Sequence, residues 1–208
     1  MAQYLSIHPD DPQTRLLTIA ADIVRKGGLV AFPTDSCYAL GCHLGDKDAV
    51  ERIRSIRGVD DRHHLTLMCR DLSEIAQFAR VDNAQYRLLK ATTPGSYTFI
   101  LEGTKELPRR VLHPTRKTIG LRVPAHPVAL ALLDQLGEPL LTSTLMLPGD
   151  ETPLTEGWEI QDRLDDHLEL ILDGGHCGTE PTTVVDLTAA LPVLVRSGRG
   201  SLAPFGLS

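Results

Sequence analysis

From Arg15 onward, apolar residues recur with two different periods, and the order in which those periods alternate restricts the fold more than any other property of the chain. Leu16, Leu17, Ile19, Ala20, Ile23 and Val24 fall at helical spacing, and Gly27-Gly28 ends that segment. Residues 29–32 are short and apolar and stop at Pro33, as a buried strand does. A second helix is predicted over about residues 46–56, with Ala49, Val50, Ile53 and Ile56 on one face. Residues 65–69 read as a strand. Asp71, with Glu74 three residues later, is a capping arrangement for a helix over 75–79, and Asp82 is a candidate cap for the next, through Lys90. Strand-like runs follow at residues 97–101, 118–123, 140–144, 168–172, 183–187 and 193–196. Two helical stretches interrupt them: residues 127–136, with an early proline and Gly137 as its stop, and residues 160–164. Helices and strands alternate early and strands accumulate late. The expected fold class is therefore α/β with α+β character, a mixed sheet flanked by helices and not a purely parallel one. Short connections between the late strands point to antiparallel neighbours.

A chain of 208 residues suggests one domain spanning residues 1–208. Its 42% hydrophobic and 23% charged residues suit a globular protein with a real core. No window approaches the roughly 18 uninterrupted apolar residues of a membrane span, and residues 1–15 are too polar for a signal peptide, so no membrane partner is expected. Cys37, Cys42, Cys69 and Cys177 are scattered without a CxxC pair, which predicts free thiols and a cytoplasmic location. No His/Cys/carboxylate group has ligand spacing, so no protein-bound metal is expected. The net charge of −6 conceals an asymmetry: residues 47–122 hold 15 Lys/Arg against 9 Asp/Glu, a balance of +6, leaving −12 for the rest. A basic middle in an acidic protein is what an anion-binding face produces, and also what unevenly placed surface charge produces.

Five segments carry polar or reactive side chains at positions that favour a site. Phe32-Pro33-Thr34-Asp35-Ser36-Cys37-Tyr38-Ala39-Leu40-Gly41 reads as a loop between a strand and a helix, where α/β sheets often line ligand crevices. Its hydroxyls and carboxylate also suit backbone capping, and Cys37 reads as a small buried thiol because no base stands beside it. Arg52, Arg54, Arg57 and Arg62 precede His63-His64; Arg54 and Arg57 share a helical face, and guanidinium forks suit phosphate. The same arginines can pair with Asp48, Glu51, Asp60 and Asp61, and the histidine pair reads as a surface turn. In Lys117-Thr118-Ile119-Gly120-Leu121-Arg122-Val123-Pro124, Thr118, Gly120 and Arg122 share one strand face. The glycine there lets a flat ligand approach the backbone. Leu141-Thr142-Ser143-Thr144-Leu145-Met146 and Pro181-Thr182-Thr183-Val184-Val185-Asp186-Leu187 place hydroxyls on apolar strands, where burial demands partners. Val195-Arg196-Ser197-Gly198-Arg199-Gly200 either wraps an anion or forms a tail. There is no P-loop, dinucleotide fingerprint, Ser-His-Asp signature or zinc pattern, so any anion site is assembled from dispersed arginines and hydroxyls.

In order and spacing, these segments resemble the YrdC/YciO family. The PTDS-Y-LG loop, the AVERI helix, TPGSYTFIL, TIGLRVPAHP, LTST, PTTVVDL and VLVRSG carry the likeness over nearly the whole chain. RKGG, LMCRDLSE, TKELPRR and LMLPG place it nearest the YciO branch. The resemblance implies a twisted open sheet flanked by helices, with a basic concave face that binds nucleotides and structured RNA. Family enzymes join threonine, bicarbonate and ATP into threonylcarbamoyladenylate, releasing pyrophosphate, for threonylcarbamoyladenosine in tRNA; Mg²⁺ enters with ATP. By matching position, Thr34 would sit at the threonine subsite and Arg57 would replace the lysine that meets ATP phosphate. Thr118, Arg122 and Ser143 would line the nucleotide, Thr182 the amino-acid end and Arg196 the phosphates. The implied partners are ATP or an AMP-like nucleotide and structured RNA, tRNA or double-stranded. Two other activities fit the same face: an RNA-binding module without synthase activity, and an enzyme acting on an already modified tRNA nucleoside. This chain departs from the family pattern at three places: Lys-x-Arg reads Arg57-Gly58-Val59, Pro-Leu reads His64-Leu65, and Ser-Ala-Asn reads Ser143-Thr144-Leu145. The first departure implies weak ATP binding and slow or absent adenylate synthesis, with affinity for RNA better retained.

Overall fold

A computed structural model describes residues 1–208. The elements in chain order are β1 (Gln3–Ser6), α1 (Thr14–Arg25), β2 (Val30–Phe32), β3 (Ala39–His43), α2 (Lys47–Arg57), β4 (Thr66–Met68), α3 (Leu72–Phe78) and α4 (Asn83–Thr92). They continue with β5 (Tyr97–Glu102), β6 (Thr118–Arg122), α5 (Pro127–Leu136), β7 (Leu140–Thr144), α6 (Gly157–Leu164), β8 (Leu170–Asp173), β9 (Thr183–Asp186) and β10 (Val193–Arg196). All ten strands join one sheet in the order β1-β8-β2-β3-β7-β4-β6-β5-β9-β10. Pairs β1/β8, β2/β8, β4/β6 and β5/β9 are parallel and the other five are antiparallel, so the sheet is mixed as the sequence pattern requires.

Local chemistry sets the helix ends. Asp46 accepts from the Ala49 amide at the start of α2, and Gly58, at φ 64°, closes it in the left-handed region that costs glycine little. Asp71 caps α3, Asp82 and Gln85 form a capping box on α4, and Pro127 opens α5. Two strands differ from the sequence reading. β3 occupies residues expected in the loop after Phe32, so Pro33–Tyr38 joins two antiparallel strands instead of a strand and a helix. Its Ala39-Leu40-Gly41-Cys42 run is buried on both faces and therefore lacks alternation. β1 is a short polar edge strand with no apolar run to mark it. Of the late strands, β9 and β10 are antiparallel neighbours, whereas β8 lies near the opposite edge.

Helices cover the two faces unequally. On one face Ala49, Val50 and Ile53 of α2, Ile75 of α3, Leu89 of α4 and Ile160 of α6 join Leu40, Leu67, Phe99, Leu121 and Ile171 in the larger core. On the other, Leu17, Ala20 and Val24 of α1 and Val128, Leu132 and Leu133 of α5 pack on Val30, Phe32, Met68, Leu140 and Leu170. Each such leucine contributes about 1.5–3 kcal/mol by leaving water. The smaller core takes nothing from β5, β6, β9 or β10. That half of the face has no helix over it, and there the strands present hydroxyls and arginine.

Candidate functional site

The uncovered half of the sheet is the floor of a cleft of about 450 Å³. Alternation along β6 sends Ile119 and Leu121 into the larger core and turns Thr118, Gly120 and Arg122 the other way. Gly120 pairs with Thr66 on β4 and Ile100 on β5. A Cβ there would lie 3.0 Å from Thr98 Cγ2 and 3.3 Å from Thr66 Oγ1, so glycine keeps the floor flat. Thr66, Thr98, Thr142 and Thr144 line the floor with hydroxyls.

The walls come from three segments. The first is the Pro33–Tyr38 connection, held in shape by Thr34. Its Oγ1 accepts from the amides of Ser36 (3.1 Å) and Cys37 (3.2 Å) and donates to the Cys37 carbonyl at 2.6 Å. The loop is tied down further by Asp35, which accepts from the Arg122 guanidinium and, at 2.9 Å, from the Ser96 hydroxyl. Arg122 also donates to Ser36 Oγ at 3.2 Å. Its Nε and that of Arg57 are buried without a partner. The second wall is the end of α2 and the turn after it: Arg57, Arg62, His63 and His64. Arg57 donates to the Met146 carbonyl at 2.6 Å, and burial, with Arg196 nearby, lowers its pKa. The third wall is β10. Arg196 donates to the Thr182 carbonyl at 2.8 Å, and Thr182 Oγ1 meets Thr98 Oγ1 at 2.8 Å.

Six of the residues singled out from sequence, Thr34, Arg57, Arg122, Ser143, Thr182 and Arg196, line this one cleft. Thr118 does not reach its surface; its hydroxyl meets His64 Nε2 at 2.8 Å, and His64 is the residue that lines the cleft. The histidine pair is therefore part of the cleft wall and not a detached surface turn. Of the altered Arg57-Gly58-Val59 segment, Arg57 lines the cleft and Val59 lies outside the lining. Val195 to Gly200 is not a loose tail: the amides of Gly198 and Arg199 bond Thr183 Oγ1 and the Pro181 carbonyl. From sequence Asp35 reads only as a backbone cap, whereas it pairs with Arg122, and Thr66 and Thr98 had no assigned part; the signal for the threonines is a hydroxyl alternating with apolar neighbours.

Four arginines and two histidines line the cleft, and no carboxylate does; Asp35 is spent on Arg122 from beneath. Burial pushes the Cys37 thiol up to about 11, with Arg122 opposing only in part, so it stays protonated and is a poor nucleophile. Partial desolvation and Arg57, Arg54 and Arg196 hold His63 below the usual histidine range, and desolvation and His113 do the same for His64. The site can neutralise an anion and bond hydroxyls and amides without offering a nucleophile of its own. No group of three His, Cys, Asp or Glu is placed to hold a metal ion, and no helix is long and apolar enough to cross a membrane.

The Sua5/YciO/YrdC family model, described as "Telomere recombination", matches residues 22–198. The uncharacterized protein YciO of Escherichia coli K12 is 57% identical over 205 residues, 99% of this chain and 100% of its own. The crystal structure of E. coli YciO superposes with a TM-score of 0.96, over 99% of this chain and 100% of that one, at 56% identity. A threonylcarbamoyl-AMP synthase of Pyrococcus abyssi is 32% identical over 185 residues, 88% of this chain and 54% of the longer relative. The crystal structure of P. abyssi Sua5 complexed with L-threonine gives a TM-score of 0.87 at 28% identity, over 95% of this chain and 58% of that one.

Proposed function

The chain belongs to the Sua5/YciO/YrdC family, and on that premise we propose that its cleft binds an adenylate-type nucleotide of the threonylcarbamoyl-AMP class. The observation that carries this reading is the lining: four arginines, of which only Arg122 meets a carboxylate, set over a hydroxyl-bearing floor that glycine keeps flat. A cavity of about 450 Å³ falls within the range that encloses small ligands, and its unpartnered Arg57 and Arg122 Nε–H groups are donors awaiting an acceptor. Arg57 and Arg196 would take phosphate oxygens; Thr34 and Thr182 would border the amino-acid end, in keeping with the L-threonine complex of the Sua5 relative.

Adenylyl transfer to a carboxylate needs alignment and neutralisation of phosphate charge more than a protein nucleophile, which suits this lining. Mg²⁺ would arrive with ATP as part of the substrate. The oxygen of the threonylcarbamate formed from threonine and bicarbonate attacks the α-phosphorus, the bond to the β-phosphate oxygen breaks, and pyrophosphate leaves. Arg57 serves that departure less well than the lysine of the family pattern, because its fork is already engaged by the Met146 carbonyl. The reading therefore favours ligand binding over rapid synthesis.

A second reading, binding of structured RNA, is favoured by the segment after β5: Lys105, Arg109, Arg110, Arg116 and Lys117 are exposed and none forms an ion pair. The test is equilibrium titration of the purified protein with AMP and with a tRNA-sized RNA at matched ionic strength, alongside pyrophosphate release from ATP with and without threonine. Saturable AMP binding that falls about tenfold to a hundredfold in Arg57→Ala, the worth of one charge-assisted hydrogen bond, supports the cleft assignment. AMP binding that is absent, or insensitive to Arg57→Ala and Arg196→Ala, refutes it.

A further inference from the structure

His63 and His64 are consecutive, yet they face different surroundings. His63 feels Arg57, Arg54 and Arg196, the cationic group of the cleft, together with Asp60. The charged and titratable neighbours of His64 are His113, His63, Arg116 and Asp186, with none of the lining arginines among them. Three contacts fix its ring. Nε2 meets Thr118 Oγ1 at 2.8 Å, one face stacks on His113 with centroids 5.3 Å apart and planes 29° from parallel, and the remaining surface lines the cleft.

The direction of the Thr118 bond follows from burial. Thr118 is 5% exposed and its hydroxyl has no partner except His64. A buried hydroxyl proton is seldom left unpaired, so Thr118 donates and Nε2 accepts. The ring proton then sits on Nδ1, which has no hydrogen-bond partner in the protein. Two residues along the same face of β6 from Thr118 the floor is Gly120, without a side chain, flanked in register by Thr66 and Ile100. Arg122 lies four residues farther along β6 than Thr118, about 13 Å at strand rise, and is occupied by Asp35.

We propose that His64 is a specificity-determining residue that receives the heteroaromatic ring of the ligand, stacking on it or donating from Nδ1 to a ring acceptor above Gly120. The inference rests on the nucleotide reading of the cleft and adds the place where the base is held. Thr118 is the positioning residue behind it, setting the tautomer. Anion recognition and base recognition are thereby divided between adjacent residues, His63 on the arginine side and His64 on the hydroxyl side.

The experiment compares AMP with ribose 5-phosphate, which keeps the sugar and phosphate but lacks the base, by calorimetric titration of the full chain at pH 7.5. The wild-type protein should bind AMP at least about tenfold more tightly, in line with about 1–3 kcal/mol for a stacked base. His64→Ala should remove most of that preference while leaving ribose 5-phosphate affinity within about twofold. His64→Phe should keep stacking and recover part of it, and Thr118→Val, which frees the ring, should lower it without abolishing it. Equal losses for both ligands in His64→Ala, or an unchanged ratio, overturn the assignment. Ribose 5-phosphate bound as tightly as AMP by the wild-type protein overturns it too, while leaving the cleft's anion-binding role standing. If neither ligand binds, the nucleotide reading itself fails and this inference falls with it.

Discussion

Replacing Asp35 by asparagine tests how the cleft is held together. The Arg122 and Asp35 side chains are 7% and 11% exposed, so their ion pair is shielded from water and salt. Removing one member of a buried pair leaves the other charge uncompensated, at a cost of about 3–5 kcal/mol. Asparagine retains a carbonyl that can accept from Arg122, and Ser36 Oγ still accepts at 3.2 Å, so Asp35→Asn belongs at the lower end and Asp35→Ala at the upper. A chain of this size loses roughly 2–4 °C of melting temperature per kcal/mol, giving about 6–12 °C for asparagine and up to about 20 °C for alanine. Melting by circular dichroism in a non-anionic buffer reads this directly. Because Arg122 faces the cleft, its freed fork becomes an anion receptor, and inorganic phosphate should stabilise Asp35→Asn more than wild type. At a hundred times its dissociation constant an anion returns about 2.7 kcal/mol, most of the loss. The double variant Asp35→Asn/Arg122→Met should also recover stability, since neither charge then remains buried. A melting temperature within about 2 °C of wild type, or equal phosphate stabilisation of both proteins, would refute the counterion account.

Filling the floor should separate shape from charge. The Cβ of Gly120→Ala comes within 3.0 Å of Thr98 Cγ2, and Gly120→Val adds overpacking of about 1–3 kcal/mol, so AMP binding should disappear in the valine variant while the fold persists by circular dichroism. Acid should destabilise the protein through its histidines: His63, His64 and His126 all titrate below their ordinary value because burial disfavours the cation. The unfolded chain then binds more protons, so this stability is present above about pH 6.5 and is lost as pH falls through the folded values. A series of melts from pH 7.5 to 5 should slope downward, less steeply in His64→Gln, and a flat series contradicts the assignment. Thiol labelling should be slow: burial pushes Cys37 up to about 11 and Cys42 and Cys177 up to about 12. An aromatic disulfide reagent at pH 7.5 should react within minutes only after denaturation, and prompt labelling of native Cys37 would contradict that.

What could be read in the sequence was local. The caps at Asp71 and Asp82, the glycine stops at Gly27-Gly28 and Gly137 and the two-residue alternation of Thr118, Gly120 and Arg122 each depend on neighbours within a few positions. Strand β3 escaped because burial on both faces erases alternation, and β1 because an edge strand carries little apolar signal. The site's decisive pairings escaped because they are distant. Asp35 and Arg122 stand 87 positions apart, and Thr98 and Thr182 stand 84 apart. Segment order and the family resemblance singled out six residues that line one cleft, but only packing shows that Asp35 pairs with Arg122 and that the Thr118 hydroxyl meets His64.

The charge count shows the same limit from another side. The basic stretch from 47 to 122 supplies Arg57, Arg62 and Arg122 to the cleft, while Arg196 comes from the acidic remainder. Several of the other arginines in that stretch are occupied elsewhere. Arg52 pairs with Glu169, Arg70 with Glu74 and Arg80 with Glu102. Arg54, 6% exposed, donates to the carbonyls of Asp60 and His63, bracing the turn that presents the two histidines. The anion-attracting character of the cleft thus rests on Arg57, Arg62 and Arg196, none of which faces a carboxylate, and not on the whole excess of +6. Neutralising any one of these three should weaken a phosphate ligand far more than neutralising Arg52 or Arg80, although all five count equally in the sequence.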